Sequence, residues 1–274
     1  MKIFSVVGYS NSGKTTLIKK ISDSLEGNVS VIKHVHEFDK KGKDTDKLLR
    51  ESNNVVAVSK NRSIKIKKSD FPLEESIEEL EGETDYVILE GFKKSSYPKI
   101  VLGSDVEEEC NGEIIYRLDK KPDFDEIKET VLTKIKEKSL RKVSLQEIIR
   151  EIKDSDKIKE AGAIGSFTGI VRGFRGEKKV EYLFFEKFEE KSEDEINQIE
   201  NKLKNRDGIV DARIHHKKGK LKVGDDIVYI VIASEHREEL FKSLSDAIDL
   251  VKSKVPIWKK EVLVEGENWV HDLE

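Results

Sequence analysis

The chain has 274 residues, enough for two domains of ordinary size, and 39% of them are charged against 36% apolar, so sizeable cores must be wrapped in an unusually charged surface. A formal net charge of −4 argues against a general nucleic-acid binder, and no apolar run reaches membrane-spanning length. Cys110 is the single cysteine, which excludes an intrachain disulfide, a zinc knuckle and an iron–sulfur cluster; it lies in EEECNGE, where the neighbouring carboxylates disfavour a thiolate. The chain opens on a strand-like segment with no signal-peptide pattern, which predicts a cytoplasmic protein. Its abundance of Lys and Glu is of the kind found in heat-adapted proteins.

The first part alternates in the α/β manner. KIFSVVG is an apolar run ending in glycine, and KTTLIKKISDSL carries Leu17, Ile18 and Ile21 at helical spacing. NVSVIKH reads as a second strand, TDKLLRES as a short helix and NNVVAVS as another strand. YVILEG is a compact apolar run of the kind buried in parallel sheets, and KIVL follows as one more. DFDEIKETVLTKIKEK is a helix with acids at its start and lysines at its end, as the helix dipole favours. The pattern predicts a parallel sheet flanked by helices, with a boundary near residue 141 separating a domain of residues 1–141 from one of residues 142–274.

Beyond the boundary the reading changes. SLQEIIREIKD has a Ser144 N-cap and an amphipathic stripe of Leu145, Ile148, Ile149 and Ile152. GAIGSFTGIVRG and KKVEYLFFE read as strands, SEDEINQIENKLKNR as a charged helix, and DARIHHK and DDIVYIVIAS as further strands. EELFKSLSDAIDLVKSK is a helix stopped by Pro256, with Leu240, Phe241, Leu244, Ala247, Ile248 and Val251 as its apolar stripe. Paired strands between long helices predict an α+β domain. The basic clusters SIKIKK and HHKKGKLK are read as local anion sites or solvated faces.

GYSNSGKTT raises the first chemical question. Gly8, Gly13, Lys14 and Thr15 satisfy G-x-x-x-x-G-K-[ST] between a strand and a helix, where backbone N–H groups and the helix N-terminus converge on phosphate oxygens. Gly8, Asn11, Ser12, Gly13, Lys14, Thr15 and Thr16 are therefore the candidate nucleotide-binding residues, with Lys14 reaching the β/γ-phosphates and Thr15 holding Mg²⁺. Glu90 ends its strand where a second acid for Mg²⁺ belongs, or simply caps the strand. His34 and His36 lie two apart and read either as a ligand pair or as a structural pair. Asp44 and Thr45 in KGKDTD are either a helix start or a switch-like contact. No N-K-x-D motif is present to specify guanine.

GYSNSGKTTLIKK, VIKHVHEFDKKGKDT and YVILEGFKKSSYPKIVL, in that order over about residues 1–102, resemble the molybdopterin-guanine dinucleotide biosynthesis adaptor, a P-loop family. The resemblance implies a GTP-binding, weakly hydrolysing, dimeric adaptor that works with a nucleotidyltransferase partner. It implies phosphate and Mg²⁺ roles for Gly13, Lys14 and Thr15, site roles for His34, His36, Asp44 and Glu90, and within these a metal-site role for Asp44 and Glu90.

In the second half, Lys252 lies four residues after Ile248 on the flank of the apolar stripe, and Lys259 follows the Pro256 turn beside the apolar wall of Trp258. A desolvated lysine can serve as nucleophile or proton carrier, whereas a snorkelling lysine would be a surface feature only. Arg172 and the His236–Arg237 pair add anion-binding potential. FTGIVRG, HKKGKLKVGD, SEHRE, KSKVPIWKKE and NWV, in order over about residues 144–270, resemble the large catalytic subunit of molybdopterin synthase. That resemblance implies an α/β hammerhead fold and a homodimer flanked by small ubiquitin-like sulfur carriers. Each carrier inserts a C-terminal Gly-Gly thiocarboxylate, whose sulfur goes to cyclic pyranopterin monophosphate. Lys252 and Lys259 match its functional lysines, unranked by sequence. Arg172, His236 and Arg237 match its substrate pocket, which is built partly by the neighbouring subunit. Lys217 and Phe188 depart from the usual Arg and Tyr.

The two resemblances together predict a bifunctional cofactor-biosynthesis protein, for molybdenum or tungsten. The alternative is a P-loop NTPase or small-molecule kinase with a noncatalytic dimerisation or carrier-binding module.

Overall fold

A computed structural model describes residues 1–35, 48, 52, 54–103, 106, 109–118, 123–187, 189–264 and 266–270. The chain divides into two compact units, Met1–Lys142 and Val143–Glu274.

In the first unit the chain runs β1 (Lys2–Gly8), α1 (Lys14–Ser22), β2 (Val29–Lys33), β3 (Asn54–Val58), β4 (Ser63–Lys67), α2 (Pro72–Glu79), β5 (Tyr86–Glu90), β6 (Lys99–Leu102), β7 (Ile114–Leu118), α3 (Phe124–Lys138) and β8 (Leu140–Arg141). The main sheet has the order β2-β5-β1-β6-β7 with every neighbour parallel, and β8 pairs antiparallel with the start of β1. β1 is apolar on both faces because both are covered. Phe4 and Val6 meet Leu17, Ile18 and Ile21 of α1 and Val131 and Ile135 of α3, while Ile3 faces Ile77 of α2 with Val87 and Leu89. Each such side chain contributes about 1.5–3 kcal/mol by burial against at most ~1 for a surface ion pair, so these faces, not the abundant charges, place the sheet. α3 begins at Asp123, whose carboxylate accepts from the Asp125 N–H at 3.1 Å.

NNVVAVS forms a strand, β3, but outside the main sheet: among the described residues it pairs only with β4, in an antiparallel hairpin. SIKIKK is largely strand β4, and Lys65 pairs with Glu79 at 2.7 Å and Lys67 with Glu75, both on α2; these lysines remain largely exposed, in keeping with the solvated-face reading. The predicted helix TDKLLRES falls almost wholly outside the described residues, as do His36, Asp44 and Thr45.

The second unit runs α4 (Leu145–Lys153), a short 3₁₀ turn (Asp156–Glu160), β9 (Ala163–Ile170), β10 (Phe174–Arg175), β11 (Lys178–Lys187), α5 (Glu189–Lys204), β12 (Ile209–His216), β13 (Gly219–Lys222), β14 (Asp226–Ser234), α6 (Arg237–Lys254), β15 (Ile257–Leu263) and β16 (Gly266–Val270). Ser144 caps α4, its hydroxyl accepting from the Glu147 N–H at 3.1 Å. One antiparallel sheet, β12-β14-β9, carries α5 and α6 on one face and α4 on the other. The second, β10-β11-β15-β16, has β13 pairing alongside on β11. This is an α+β arrangement. The α6 stripe buries Leu240, Leu244, Ala247 and Val251, but Phe241 is 67% exposed, because it lies one position round the helix from Leu240, off the sheet-facing side. The lysines of HHKKGKLK lie against aromatic rings: Lys217 stands 5.1 Å from the Tyr229 ring centroid and Lys220 3.7 Å from that of Tyr182. Among the described residues no helix is long and apolar enough to cross a membrane.

Candidate functional site

The loop between β1 and α1 lies at the carboxyl edge of the parallel sheet, where strand ends and helix starts leave unpaired N–H groups. Asn11 and Gly13 both take left-handed backbone angles, φ 60° and 96°, and α1 starts with no side-chain cap. At Gly8 a β-carbon would come within 2.5 Å of the Ser12 hydroxyl and 3.1 Å of the Leu102 carbonyl, so only glycine lets the loop close over the strand. The Ser12 hydroxyl is buried without a hydrogen-bond partner, an orphan that a phosphate oxygen would satisfy. The Lys14 ammonium folds back onto the Tyr9 carbonyl at 2.6 Å. Burial lowers its pKa, Glu90 opposes that, and Lys33 and Lys93 add to it.

Glu90 sits opposite Val6 of β1 on one side and Lys33 of β2 on the other. Its carboxylate accepts from the Thr15 hydroxyl and from the Lys33 ammonium, each at 3.1 Å. After it, Gly91 and Phe92 turn through φ 93° and 55°, delivering Lys93 to Glu109 at 2.7 Å and over the Tyr9 ring at 4.5 Å. The His34 ring stands edge-on to Phe92 at 5.2 Å, so this member of the histidine pair packs against the turn that follows Glu90. Among the described residues no group of three or more His, Cys, Asp or Glu is arranged to hold a metal ion. Cys110 donates to the Val106 carbonyl at 3.2 Å, and its thiol pKa is raised chiefly by burial, with Glu109 a small contributor.

In the second unit, Lys252 and Lys259 converge on adjoining cavities. One, of about 260 Å³, is walled by Trp258 and Phe185; another, of about 400 Å³, adds Arg172 and the apolar floor of Phe167, Ile230 and Val251. A third, of about 240 Å³, joins Arg172 and Lys259 to Arg175 and Glu261. Lys252 is exposed at the end of α6 and lines the cavity from its rim, so its expected desolvation is not found in this single chain. Lys259 is mostly buried, its ammonium 3.1 Å from Glu261, which also accepts from Arg175 at 3.0 Å while itself only 9% exposed as a side chain. His236 and Arg237 are exposed at the start of α6. Lys252 lies fifteen residues along the helix from Arg237, about 22 Å away.

Arg175, His216 and Glu261 are site residues the sequence reading did not single out. Glu261 had a signal: two residues after Lys259 in one strand, it must share that lysine's face. Phe188 lies outside the described residues.

Comparison with known proteins gives a match in each half. The family described as molybdopterin guanine dinucleotide synthesis protein B matches residues 3–117, and the family described as MoaE protein matches residues 138–254. A probable molybdopterin synthase of Haloferax volcanii is 29% identical over 97% of this chain and 99% of its own. The molybdopterin synthase catalytic subunit of Pyrococcus abyssi is 40% identical over 40% of this chain and 74% of its own. Among solved structures, molybdopterin synthase from Staphylococcus aureus is 31% identical, covering 48% of this chain and 93% of its own with a TM-score of 0.43.

Proposed function

Because the chain belongs to the molybdopterin synthase catalytic-subunit family and carries, ahead of that part, a unit of the molybdopterin guanine dinucleotide synthesis protein B family, we propose that it serves two steps of one cofactor's biosynthesis. The second unit converts cyclic pyranopterin monophosphate to molybdopterin with sulfur from a thiocarboxylated small carrier. The first unit binds GTP and assists guanine-dinucleotide attachment with a nucleotidyltransferase partner.

The observation that carries the synthase reading is the convergence of Lys252, Lys259 and Arg172 on cavities with apolar walls. An extended Gly-Gly tail needs such a slot, and an anionic phosphate and thiocarboxylate need fixed cations at its end. The two lysines stand in different surroundings. Lys259, held by Glu261, is a standing cation suited to bind substrate anion and to stabilise developing charge on sulfur or oxygen. Lys252, exposed on the rim of both cavities and without an ion pair among the described residues, adds a second cation at the mouth of the slot. Ile170 and Phe174, both exposed near the same cavities, offer the carrier an apolar landing. His236 and Arg237 complete a pocket only across a two-fold, one copy supplying the helix start and its partner the helix end, which is the reason for a homodimer.

In the first unit the Gly8–Thr16 loop cradles the phosphates, with the Ser12 hydroxyl and Lys14 turned to them in place of their present neighbours. Thr15 and Glu90, already 3.1 Å apart, supply two oxygens for Mg²⁺, which would neutralise phosphate charge. Asp44 is proposed as a further acid.

The deciding experiment mixes the chain with cyclic pyranopterin monophosphate and thiocarboxylated carrier, omitting nucleotide, and follows the oxidised fluorescent pterin. Product from wild type, lost in Lys252→Ala, is expected. No product with a carrier that demonstrably binds would sink the synthase reading and leave a nucleotide-binding adaptor with a docking module.

A further inference from the structure

We propose that His216 is a proton-transfer residue of the synthase pocket, acting through its Nε2 atom; this rests on the synthase reading above. His216 ends β12, opposite Val228 of β14, and is 8% exposed. Its ring stands edge-on to Phe185 at 5.1 Å, and Phe185 is the strand partner of Lys259. It lines both cavities that Lys252 and Lys259 share. The imidazole therefore lies on the wall of the slot that the two lysines share.

Its tautomer is fixed by chemistry. Nδ1 lies 2.7 Å from the Lys217 carbonyl oxygen, which can only accept, so Nδ1 carries hydrogen. In the neutral ring the lone pair is then on Nε2, and the ring's orientation is set by the same bond. A purely structural histidine needs neither the shared cavity nor two lysines beside it. The charged groups on these elements are Lys252 on α6, Lys259 with its partner Glu261 on β15, Arg172 after β9, and Lys217 at its own strand end, which stands 3.9 Å from Asp226 of β14.

The reaction needs such a group. A carrier's sulfur, once bonded to the pterin, is released only when its C–S bond breaks, and the acyl carbon must pass to another nucleophile. With water as that nucleophile, a C–O bond forms and the C–S electron pair leaves on sulfur, which stays on the pterin as thiolate. One proton of the water goes to Nε2. The carrier departs as carboxylate, its own proton going to solvent, and the imidazolium returns its proton to solvent before the next turn. General-base help of this kind is worth about 10²–10⁴-fold.

The test uses the full-length chain with substrate and thiocarboxylated carrier. His216→Asn keeps a donor near the Nδ1 position for the Lys217 carbonyl but has nothing at Nε2. The expected result is a kcat lowered about 10²-fold or more with KM little changed, and loss of the acid limb of the pH–rate profile. Carrier joined to substrate should accumulate in a single turnover, detected by intact mass, and added imidazole should partly restore His216→Gly. Wild-type kcat and pH profile in His216→Asn would overturn the role. So would a fall in activity that keeps the profile, resists imidazole and tracks a lowered melting temperature, since that is a packing effect. If wild type itself makes no product, the synthase reading fails and this role with it.

Discussion

The two sites are built in opposite ways. The phosphate loop is one continuous stretch between a strand and a helix, completed by a single residue, Glu90, from the neighbouring strand. The synthase pocket draws on β9, β11, β12, β15 and α6, residues spread from Phe167 to Glu261, and two of its expected members stand at the far end of α6. A site made of backbone N–H groups depends on local conformation, so its residues must be adjacent. A site made of side-chain charges can be assembled from anywhere the fold brings strand ends together, and its supporting contacts are long-range.

If the sites are independent machines, a reciprocal pair of variants separates them. Lys252→Ala should reduce molybdopterin formation at least 10³-fold and leave nucleotide affinity, read by calorimetry, unchanged. Lys14→Ala should weaken GTP binding about 10–100-fold, as expected for a lost charge-assisted contact, with synthase turnover intact. Loss of both functions in either variant would break the comparison. Glu261→Gln tests the long-range support: freeing Lys259 and Arg175 should lower kcat/KM about 10-fold, and a double variant with Lys259→Ala should add little more. Additive losses would mean that Glu261 acts elsewhere. Gly8→Ala tests the local site, where the new methyl would meet the Ser12 hydroxyl; a loss of about 1–3 kcal/mol in urea unfolding of the first unit is expected. The smallest effect is at Cys110. Because burial raises its thiol pKa, iodoacetamide should modify it more slowly than free cysteine at pH 8, the gap closing as pH rises and both become thiolate.

The local site was also the more legible one. The glycine spacing, the flanking apolar runs and YVILEG were enough to place the loop and Glu90 at one sheet edge. β1 and β5 could be recognised because strands covered on both faces must be apolar throughout. The hairpin β3–β4 was misread for the complementary reason: SIKIK alternates apolar and charged residues, and the lysine density hid the period of two. In the second unit the helices and the strands β9, β11, β12 and β14 followed from caps and periodicity, Ser144 being the clearest, whereas β10, β13, β15 and β16 were not read as strands. Phe241 misled because residues one position apart on a helix differ by about 100° in direction, and composition alone does not fix where the buried arc ends. His216 carried no sequence signal of its own, since only the pairing of β12, β14 and β11 with their neighbours brings it to the lysines.

The two-residue strand β8 deserves a last consideration in terms of cutting the chain. Leu140 and Arg141 complete the amino end of β1, the Lys142 N–H donates to the Met1 carbonyl, and the Met1 amino group donates to the Lys142 carbonyl at 3.2 Å. The match to the MoaE family begins at residue 138, four residues before the first unit ends. A protease or an engineer dividing the protein at that family limit would therefore strip β8 from the edge of β1, whereas a cut after Lys142 removes the second half and leaves the seam closed. This chain is therefore divided without opening its first sheet only beyond that three-residue stitch.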